Sequence, residues 1–562
     1  MGGENNYKKI LAQIILDENL ENVIAFGNDC DSYIQNNPPN SYNHFTKIKM
    51  NLYHKQYKIK SQNQDKEIDI EKLISLMLKK IKEKTIEQIR GTYPLLKEEN
   101  VKFILTVPAI WEYKSKQIMI NSAKNAGLLK NEDISNFFAL EPEAASIYYN
   151  IDCDDYAKII KVNHPFILCD IGSGTVDIVV QEKVEKNGIP SFKELHHPVG
   201  GDYGSNKINE LIIENIFEEL FEYDTFRKLN QNKEKVFLKW KRFEEAIEKF
   251  KISHLYNSQA GNRSLLEKSR GDPNAFRQLR ETGTIINYYT IDCKLFKKYC
   301  SDGSIKNIVD RYIFKNSLKI LDEEEWEITF LYILIDIIME TISDEIIFYI
   351  THIPYSILRH VKALVFSGGA SRGDVLCNKI EKKLRKSNYD FDFVKSRSPE
   401  IAIAKGSVEY FLRKNIISVR KAKYTIGIGI IGEWIEEYGE KGKKVIMNNK
   451  CYCDNLFSRF IKKNEEISYD KIISNNYIMD SPIIIIELFK SDKDDIFFCD
   501  EKDENGNLIV SKLGELIIDA KDKYDPLKKK VIVEMKIGGT FVSVTARYEN
   551  SNEEVNVKCV FD

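Results

Sequence analysis

Apolar residues along this 562-residue chain recur with two different spacings, and the change between them divides the sequence into two kinds of region. Before about residue 420, continuous apolar runs such as "VKFILTVPAI" at 101–110 alternate with stretches such as 66–93, where apolar residues recur every three or four positions. Buried strands that alternate with amphipathic helices are typical of a sheet covered on both faces. The fold class is therefore predicted to be α/β over this part.

Further helices and strands follow from the same pattern. A helix is predicted over 114–129, closed by Gly127. The segment "ISNFFALEPEAASIYY" predicts a strand, a turn at Glu141-Pro142 and a helix. From about 206 to 350 the pattern predicts a helical insertion with a polar loop at 256–283. A strand, a glycine turn and a helix return in "VKALVFSGGASRGDVLCNKIEKKL" at 361–384.

After about residue 420 the spacing changes to short segments in which apolar and polar residues alternate. Examples are "LGELIIDA", "KVIVEMKIG" and "TFVSVTARYE", which turn residues separate. This spacing is typical of strands with one buried face. An all-β, sandwich-like domain is predicted over 419–562.

Composition adds little to the choice of partner. Lys and Arg number 83 against 85 Asp and Glu, so no nucleic acid or anionic membrane is predicted as partner. The N-terminal residues lack the pattern of a signal peptide, and the longest apolar run, "ITFLYILIDIIM", is too short to span a bilayer. The ten cysteines are scattered without a CxxC motif, which favours reduced thiols. A soluble, cytoplasmic protein is predicted.

The stretch "PFILCDIGSGTVDIVVQEKV" at 165–184 interrupts two apolar runs with Asp170 and a small-residue turn. Glycine leaves backbone N–H groups accessible to a phosphate, and an aspartate at a strand end can hold hydrated Mg²⁺. A hairpin with a merely polar tip is the alternative reading. The sequence therefore indicates a phosphate site here but does not establish one.

Two further glycine pairs strengthen this interpretation. "VGGDYGSNKINELI" at 199–212 and "FSGGASRGDVL" at 366–376 each place Gly-Gly between an apolar run and a predicted helix. Such turns can offer helix N-terminal amides to an anion, although any tight strand-to-helix connection also uses glycine. The sequence contains neither GxxxxGK[ST] nor GxGxxG, which excludes a P-loop and the dinucleotide fingerprint.

Five segments in order resemble the actin-like ATPase superfamily, and within it the 70-kDa heat-shock protein family. They are "FILTVPAIW", "ALEPEAASIYY", "CDIGSGTVD", "VGGDYGSNKINELI" and "FSGGASRGDVL…SPEIAIAKGSVEY". "VPAIW" and "EPEAASIYY" are most similar to the divergent heat shock 70 kDa protein 12 branch. The resemblance runs from about residue 20 to the C-terminus.

The resemblance implies a two-lobed, ribonuclease H-like nucleotide-binding domain that takes ATP or ADP with Mg²⁺. The first lobe would span 1–165, and the second 166–418 with the helical insertion. The family opens with an Asp-x-Gly-Thr hairpin, and no such segment occurs here, so the first lobe is expected to be N-terminally incomplete. Because that hairpin supplies half of the phosphate clamp, hydrolysis is expected to be slow or impaired.

The resemblance also implies roles for individual residues. Catalysis would use Asp170 as the metal-side carboxylate, Glu141 near the attacking water, Thr175 to orient that water, and Asp177. Phosphates would be wrapped by Gly172, Ser173, Gly174 and Thr175, with Lys49 facing them and Lys47 as its rival. Ribose and adenosine would meet the set Gly200, Gly201, Asp202, Glu244, Gly368, Gly369, Ala370 and Arg372. Without the resemblance, Glu141 is equally a helix cap, and Lys49, Glu244 and Arg372 are ordinary surface residues.

Two positions depart from the family pattern. Ser173 stands where a middle glycine is expected, and Ile247 stands where a base-contacting lysine is expected after Glu244. Lys251, on the same helix face, is a partial substitute on spacing alone.

The C-terminal module resembles the β-sandwich that grips extended peptides in these chaperones, but no helical lid follows it. A β domain that only packs against the lobes is an equal alternative. The leading hypothesis is an ATP-binding, chaperone-like protein, a weak ATPase at most, whose partners are nucleotide and unfolded or extended peptide. The second is a catalytically inactive scaffold or regulatory protein. A sugar or metabolite kinase is third, since such enzymes lack a β-sandwich after the second lobe.

Overall fold

The computed structural model of the chain describes most of both predicted lobes and of the C-terminal module. The described residues are 10–129, 137–152, 156, 159–186, 188–220, 237–256, 288–292, 318–320, 325–329, 332–395, 398–413, 416–469, 471–479, 481–520, 530–536, 542–549 and 553–562. The polar loop predicted at 256–283 lies outside them, except for Tyr256. Within the described ranges, no helix is both long enough and apolar enough to cross a membrane.

The first lobe packs helices around three small sheets. Its strands are β1 (Ile14–Leu16), β2 (Val23–Phe26), β3 (Asn43–Phe45), β4 (Lys58–Lys60), β5 (Glu67–Asp69), β6 (Leu105–Val107) and β7 (Phe138–Leu140). They form a β2-β1-β3 sheet, an antiparallel β4-β5 pair and a parallel β6-β7 pair. Its helices are α1 (Asp29–Asn36), α2 (Ile48–Tyr53), α3 (Ile70–Thr92) and α4 (Tyr113–Asn125).

Both long helices of this lobe follow the predicted pattern. The apolar stripe of α3 is buried against α4 and the sheets, and the Asp69 side chain caps its first turn by accepting from the N–H of Glu71. Helix α4 ends before Gly127, which adopts the left-handed conformation at φ +67°. The predicted turn at Glu141-Pro142 is wrong, because α5 (Glu141–Asp152) begins at Glu141 itself. Proline fits in a first helical turn, where its missing N–H costs nothing.

A seven-stranded sheet forms the second lobe. Its strands are β8 (Pro165–Ile171), β9 (Val176–Lys186), β10 (Ile189–Gly201), β14 (Ala363–Ser367), β15 (Asp392–Lys395), β16 (Ile417–Lys421) and β20 (Glu466–Ser468). Their order is β15-β14-β8-β9-β10-β16-β20. Because β8 is buried on both faces, it reads as a continuous apolar run, which confirms the predicted α/β class.

Helices cover both faces of this sheet. They are α6 (Ser205–Leu220), α7 (Phe237–Tyr256), α8 (Tyr332–Thr351), α9 (Tyr355–Leu358), α10 (Asp374–Lys386) and α11 (Ala402–Leu412). Ile167, Cys169 and Ile171 of β8 point into a core shared with α6, α7, α8 and α10, whereas Phe166 and Leu168 point into a core shared with α5 and α11.

The insertion is not wholly helical, which corrects the sequence prediction for about 206–350. Strands β11 (Tyr288–Asp292), β12 (Leu318–Ile320) and β13 (Glu325–Thr329) lie within it and pair as an antiparallel β11-β13-β12 sheet. Strands of three to five residues are too short for their spacing to be distinguished from a helical pattern.

A nine-stranded antiparallel sheet follows. Its strands are β17 (Thr425–Glu433), β18 (Lys444–Met447), β19 (Lys450–Ile461), β21 (Ile472–Ile478), β22 (Ile483–Ser491), β23 (Val510–Asp519), β24 (Lys530–Lys536), β25 (Ser543–Tyr548) and β26 (Glu554–Phe561). Their order is β18-β19-β17-β22-β23-β26-β25-β24-β21. The predicted boundary at 418/419 falls inside β16, which belongs to the seven-stranded sheet, and β20 pairs with β16 there. The domain limits stay a prediction.

Candidate functional site

The predicted hairpin at 165–184 is present as strands β8 and β9 joined by the turn Gly172–Thr175. The N–H of Gly172 donates to the carbonyl of Thr175 at 2.9 Å, which closes the turn. Ser173 at its tip is exposed, while Thr175 is buried and its hydroxyl donates to Asp177 at 3.0 Å. The turn therefore projects from the end of a buried sheet.

The three glycine turns meet at that end of the sheet. Ser367 of β14 pairs with Asp170 of β8, Asp170 pairs with Asp177 of β9, and Asp177 pairs with Gly200 of β10. These four residues form one row across four neighbouring strands. The row brings together segments that the sequence separates by almost two hundred residues.

Strand alternation directs the two aspartates toward α5. Asp170 lies on the same face of β8 as Phe166 and Leu168, which pack against α5 and α11. Glu141 begins α5 and is also buried. The sheet and the helix thus place three carboxylates together.

Of the two rival lysines, Lys49 faces these carboxylates. Its Nζ lies 2.6 Å from Oε1 of Glu141. Lys47 adopts the left-handed conformation at φ +55° just before α2, and its side chain pairs with Glu210 at 3.5 Å instead. The start of the helix thus turns one lysine inward and the other toward α6.

The carboxylates outnumber the cation that faces them, and their acidities reflect this. Burial, together with repulsion from Glu141 and Asp177, raises the pKa of Asp170 to about 7. Burial and repulsion from Glu141 also raise the pKa of Asp177 to about 6, although the N–H of Ile110 donates to it at 3.1 Å. Burial alone would lower the pKa of Lys49, but attraction to Glu141 outweighs it and raises that pKa. The site therefore attracts additional positive charge.

Two glycines make the row of residues possible. Gly368 has φ +82°, and a Cβ there would lie 2.6 Å from Oδ1 of Asp170 and collide with the carbonyl of Ile171. Gly200 has φ +150°, and a Cβ there would collide with the carbonyl of Val176. Any larger residue at either position would push the turns apart.

The glycine turn before α6 was predicted to offer the first amides of that helix to an anion, and the structure shows another use for them. The N–H groups of Gly204, Ser205 and Asn206 donate to the carbonyls of the turn at 172–174 over 2.7 to 3.2 Å. The first amides of α6 therefore hold the turn in place, and they are not available to an anion. A Cβ at Gly204 would lie 2.6 Å from the carbonyl carbon of Gly174, so the contact is close-packed.

Sequence reasoning missed three residues of the site. Met50 packs its thioether on Gly174, and the backbone of Ile110 binds Asp177. Burial, with the nearby Asp202, raises the pKa of Tyr53 to about 12. Met50 and Tyr53 lie on α2 with Lys49, so the spacing along that short helix is the only sequence signal for them.

The remaining predicted residues lie around this centre. Gly201 pairs with Val176, and a Cβ there would lie 3.2 Å from Tyr349 Cζ. The carboxylate of Asp202 is 3.8 Å from Nε2 of His54. Ala370 is buried in the core and Gly369 begins the 3-10 turn Gly369–Arg372, on which Arg372 is exposed. Glu244 is half-buried on α7, which packs against α10. The adenosine roles of these residues stay a prediction.

Helix α7 also reaches the first lobe. Nζ of Lys241 bonds Oδ1 of Asp31, which also accepts from Nε2 of Gln13 at 3.0 Å. Phe237 is buried in a small core with Ile15 and Tyr42. The two lobes are therefore joined at α7 as well as at the acidic group.

The site suits Mg²⁺ held partly by water. Oδ1 of Asp170 is buried and makes no hydrogen bond within the described residues. Among those residues, no three His, Cys, Asp or Glu side chains are arranged to enclose a metal. Mg²⁺ commonly takes one or two carboxylates and completes its shell with water and phosphate oxygens. Asp170 is thus a fitting ligand, with Asp177 beside it.

Comparison with known proteins yields one family and several relatives. A family model described as "Hsp70 protein" matches residues 32–266. Human "Heat shock 70 kDa protein 12A" is 22% identical over 509 residues, which cover 80% of this chain and 68% of that protein. Its mouse counterpart is 22% identical over 520 residues, covering 82% and 70% respectively. Human "Heat shock 70 kDa protein 12B" is 22% identical over 557 residues, covering 86% and 74%. These matches confirm the predicted family resemblance and its branch.

Proposed function

Because the chain is a divergent member of the 70-kDa heat-shock protein family, we propose that it binds ATP or ADP with Mg²⁺ between its lobes. The observation that carries the proposal is the row Ser367, Asp170, Asp177 and Gly200, faced by Glu141 and Lys49. This arrangement combines an open turn for phosphates with an excess of carboxylates for a divalent cation.

Each residue has a role that follows from its chemistry. Asp170 would ligate Mg²⁺, which neutralises charge on the phosphates when bound. Ser173 and Gly174 would face the phosphates through backbone N–H groups, Gly172 would close the turn that presents them, and Lys49 would add a cation. Glu141, with the Thr175 hydroxyl, would orient the attacking water, while Asp177 would stabilise the group.

We expect hydrolysis to be slow. Glu141 and Lys49 bind each other at 2.6 Å, so the carboxylate that would orient water is already engaged. The extreme case of slow hydrolysis is a scaffold that binds nucleotide and does not hydrolyse it.

A chaperone-like role rests on the nine-stranded sheet. Ile430 and Ile431 on β17 are 39% and 56% exposed, and they offer apolar contacts beside an antiparallel sheet. Such a surface can hold an extended peptide by main-chain bonds and apolar contacts. Titration of a fluorescent apolar heptapeptide against wild type and Ile431→Asp tests this role, and equal binding by both would contradict it.

The nucleotide proposal is tested by a pair of glycine variants at positive φ. Gly368 and Gly506 both have φ +82°, but a Cβ at Gly506 would meet nothing within 4 Å. Alanine at either position is strained by the positive φ, whereas only Gly368→Ala crowds Asp170. We expect wild type and Gly506→Ala to bind Mg²⁺-ADP by calorimetry and Gly368→Ala to lose binding.

Two outcomes would overturn the proposal. Equal binding by the two glycine variants would remove the site from this row of residues. If wild type binds neither ADP nor ATP with Mg²⁺, the chain is an interaction scaffold that retains the fold.

A further inference from the structure

Helix α7 carries a lysine where its spacing calls for an apolar residue. Trp240, Phe243, Ile247 and Lys251 follow one another at three- and four-residue intervals, and all four are buried. Lys251 is only 1% exposed, and burial lowers its pKa. Burying an ammonium group opposes folding unless its bonds compensate, so the contacts of this lysine are informative.

Lys251 makes two hydrogen bonds within the described residues. Its Nζ donates to the carbonyl of Ser205 at 3.1 Å and to Oε2 of Glu248 at 2.7 Å. Glu248 also accepts from the Asn209 side chain at 2.6 Å. Ser205 and Asn209 both belong to α6, so the lysine and its partner join α7 to the first two turns of α6.

The N-terminal end of α6 also binds the turn at 172–174, to which the proposed function assigns the phosphates. The N–H of Ser205 donates to the carbonyl of Gly172 at 3.0 Å, next to two parallel bonds from Gly204 and Asn206. Two consecutive hydrogen bonds therefore connect Nζ of Lys251 to the turn.

We propose that Lys251 is a positioning residue, which fixes α6 against the turn at 172–174. The inference rests on the proposed nucleotide function and adds a residue whose action is transmitted through Ser205. It differs from the spacing-based idea that Lys251 contacts a base, because the side chain is buried and its Nζ donates to Ser205 of α6 and to Glu248 of its own helix.

The test compares Lys251→Met with Lys249→Met, a control at an exposed lysine of the same helix. Methionine keeps most of the volume and removes the charge. We expect Lys251→Met to weaken Mg²⁺-ADP binding about tenfold, as loss of a charged hydrogen bond implies, and to change adenosine binding less than about twofold. Lys249→Met should leave both affinities unchanged.

A second measurement needs no nucleotide. Hydrogen exchange of the amides at 172–175 and 204–206 should accelerate in Lys251→Met and stay unchanged in Lys249→Met. Melting should fall only slightly, since Glu248, the partner that stays charged, has a side chain that is 43% exposed and still accepts from Asn209. If Lys251→Met does not fold, Lys251→Gln takes its place in both experiments.

The outcomes separate this inference from the proposed function. If wild type binds no nucleotide while the amides respond to Lys251→Met, the function fails and the positioning contact stands. If wild type binds and Lys251→Met affects ADP and adenosine equally, the inference is overturned. Unchanged exchange at 172–175 overturns it as well.

Discussion

Asp177 and Glu112 are carboxylates tied to the same short segment, yet the protein surrounds them in opposite ways. Asp177 accepts from the backbone of Ile110 and lies among other carboxylates, and burial raises its pKa to about 6. Glu112 is half-buried two residues later. Burial opposes its ionisation, but Lys423, Lys490 and the Tyr424 hydroxyl lower its pKa to about 2.

The two carboxylates differ in how far the protein itself balances their charge. We call a contact complete where donors of the protein balance the charge, and incomplete where negative charge is left in excess. Glu112 accepts from Lys423 at 2.8 Å, from the Tyr424 hydroxyl at 2.7 Å and from Lys490 at 3.0 Å. Nothing remains for a ligand to contribute there. At Asp170 and Asp177 the folded chain leaves negative charge in excess, which is a cost to stability that a bound cation would remove.

A second complete contact lies close to Glu141. Glu143, 1% exposed on α5, accepts two hydrogen bonds of 2.7 Å from Arg420 of β16. Helix α5 thus begins with a carboxylate of the candidate site and continues with one that holds the strand leading to the nine-stranded sheet. The first turn of α5 therefore carries one carboxylate of the candidate site, Glu141, and one that is paired with a strand outside it, Glu143.

The largest effect is expected from removing Arg420. Arg420→Met leaves Glu143 buried and uncompensated, so the free energy of unfolding should fall by about 3–5 kcal/mol. Urea denaturation of the full chain measures it. The double variant Glu143→Gln with Arg420→Met should recover much of the loss, and failure to recover would mean that the ion pair is not the cause.

A smaller loss is expected at Glu112. Glu112→Gln removes the charge on which three donors converge and should lower the free energy of unfolding by about 2 kcal/mol. The matched control is Glu99→Gln, whose carboxylate pairs with Lys97 at 3.8 Å and is 64% exposed. That variant should change stability by less than about 0.5 kcal/mol. Equal losses of stability in the two variants would show that the contacts of Glu112 contribute no more than an exposed surface pair.

At Asp170, where the contact is incomplete, we expect a substitution to raise stability rather than lower it. Since the pKa of Asp170 is raised from 3.8 to about 7, its folded-state proton stabilises the ligand-free protein at low pH. This contribution is full below about pH 4 and is lost as pH rises through about 7. Asp170→Asn should therefore raise the melting temperature at pH 8 by about 2–4 °C and flatten its pH dependence.

Mg²⁺ reverses that trend in wild type, because it binds the ionised carboxylate. The affinity for Mg²⁺-ADP should rise between pH 5.5 and pH 8 and should be lost in Asp170→Asn. Calorimetry at three pH values measures it. A melting temperature that rises with pH in the absence of Mg²⁺ would contradict the assignment of Asp170 as an uncompensated carboxylate.

The smallest effect belongs to the contact between α7 and the first lobe. Asp31 is 37% exposed where Lys241 meets it, so solvent screens the pair. Lys241→Met should reduce the free energy of unfolding by about 1 kcal/mol or less. Thermal melting checks it, with Asp31→Asn expected to match. A larger loss would mean that solvent does not screen this pair and that it stabilises the fold as strongly as the pair of Arg420 and Glu143.

Local sequence was sufficient for the parts of the site that lie within one hairpin. The apolar runs, the small-residue turn and Asp170 occur within 165–184, so their spacing predicts both the strands and the chemistry at their ends. Glycine pairs were informative for the same reason, since close backbone approach restricts the residue at the position itself. Gly200 and Gly368 show this restriction directly.

Contacts between distant segments could not be predicted. Whether Lys47 or Lys49 faces Glu141 depends on a single left-handed residue at the start of α2. The partners of Glu112 come from segments more than three hundred positions away. The bond between Lys251 and Ser205 depends on the packing of α7 on α6, which helix spacing alone does not reveal. Each choice is decided by tertiary packing.

The connection between the two large sheets limits how they can move. β16 ends at Lys421 and β17 begins at Thr425, so three residues join the seven-stranded sheet to the nine-stranded one. Three residues span about 10 Å even when fully extended. β20 returns to pair with β16 before the chain re-enters the larger sheet at β21. The chain thus passes between the two sheets three times, after β16, after β19 and after β20, through three or four residues each time. Short connections at three points hinder both swinging and twisting of one sheet against the other. A spin-label pair on β10 and β22 should therefore give a single narrow distance distribution.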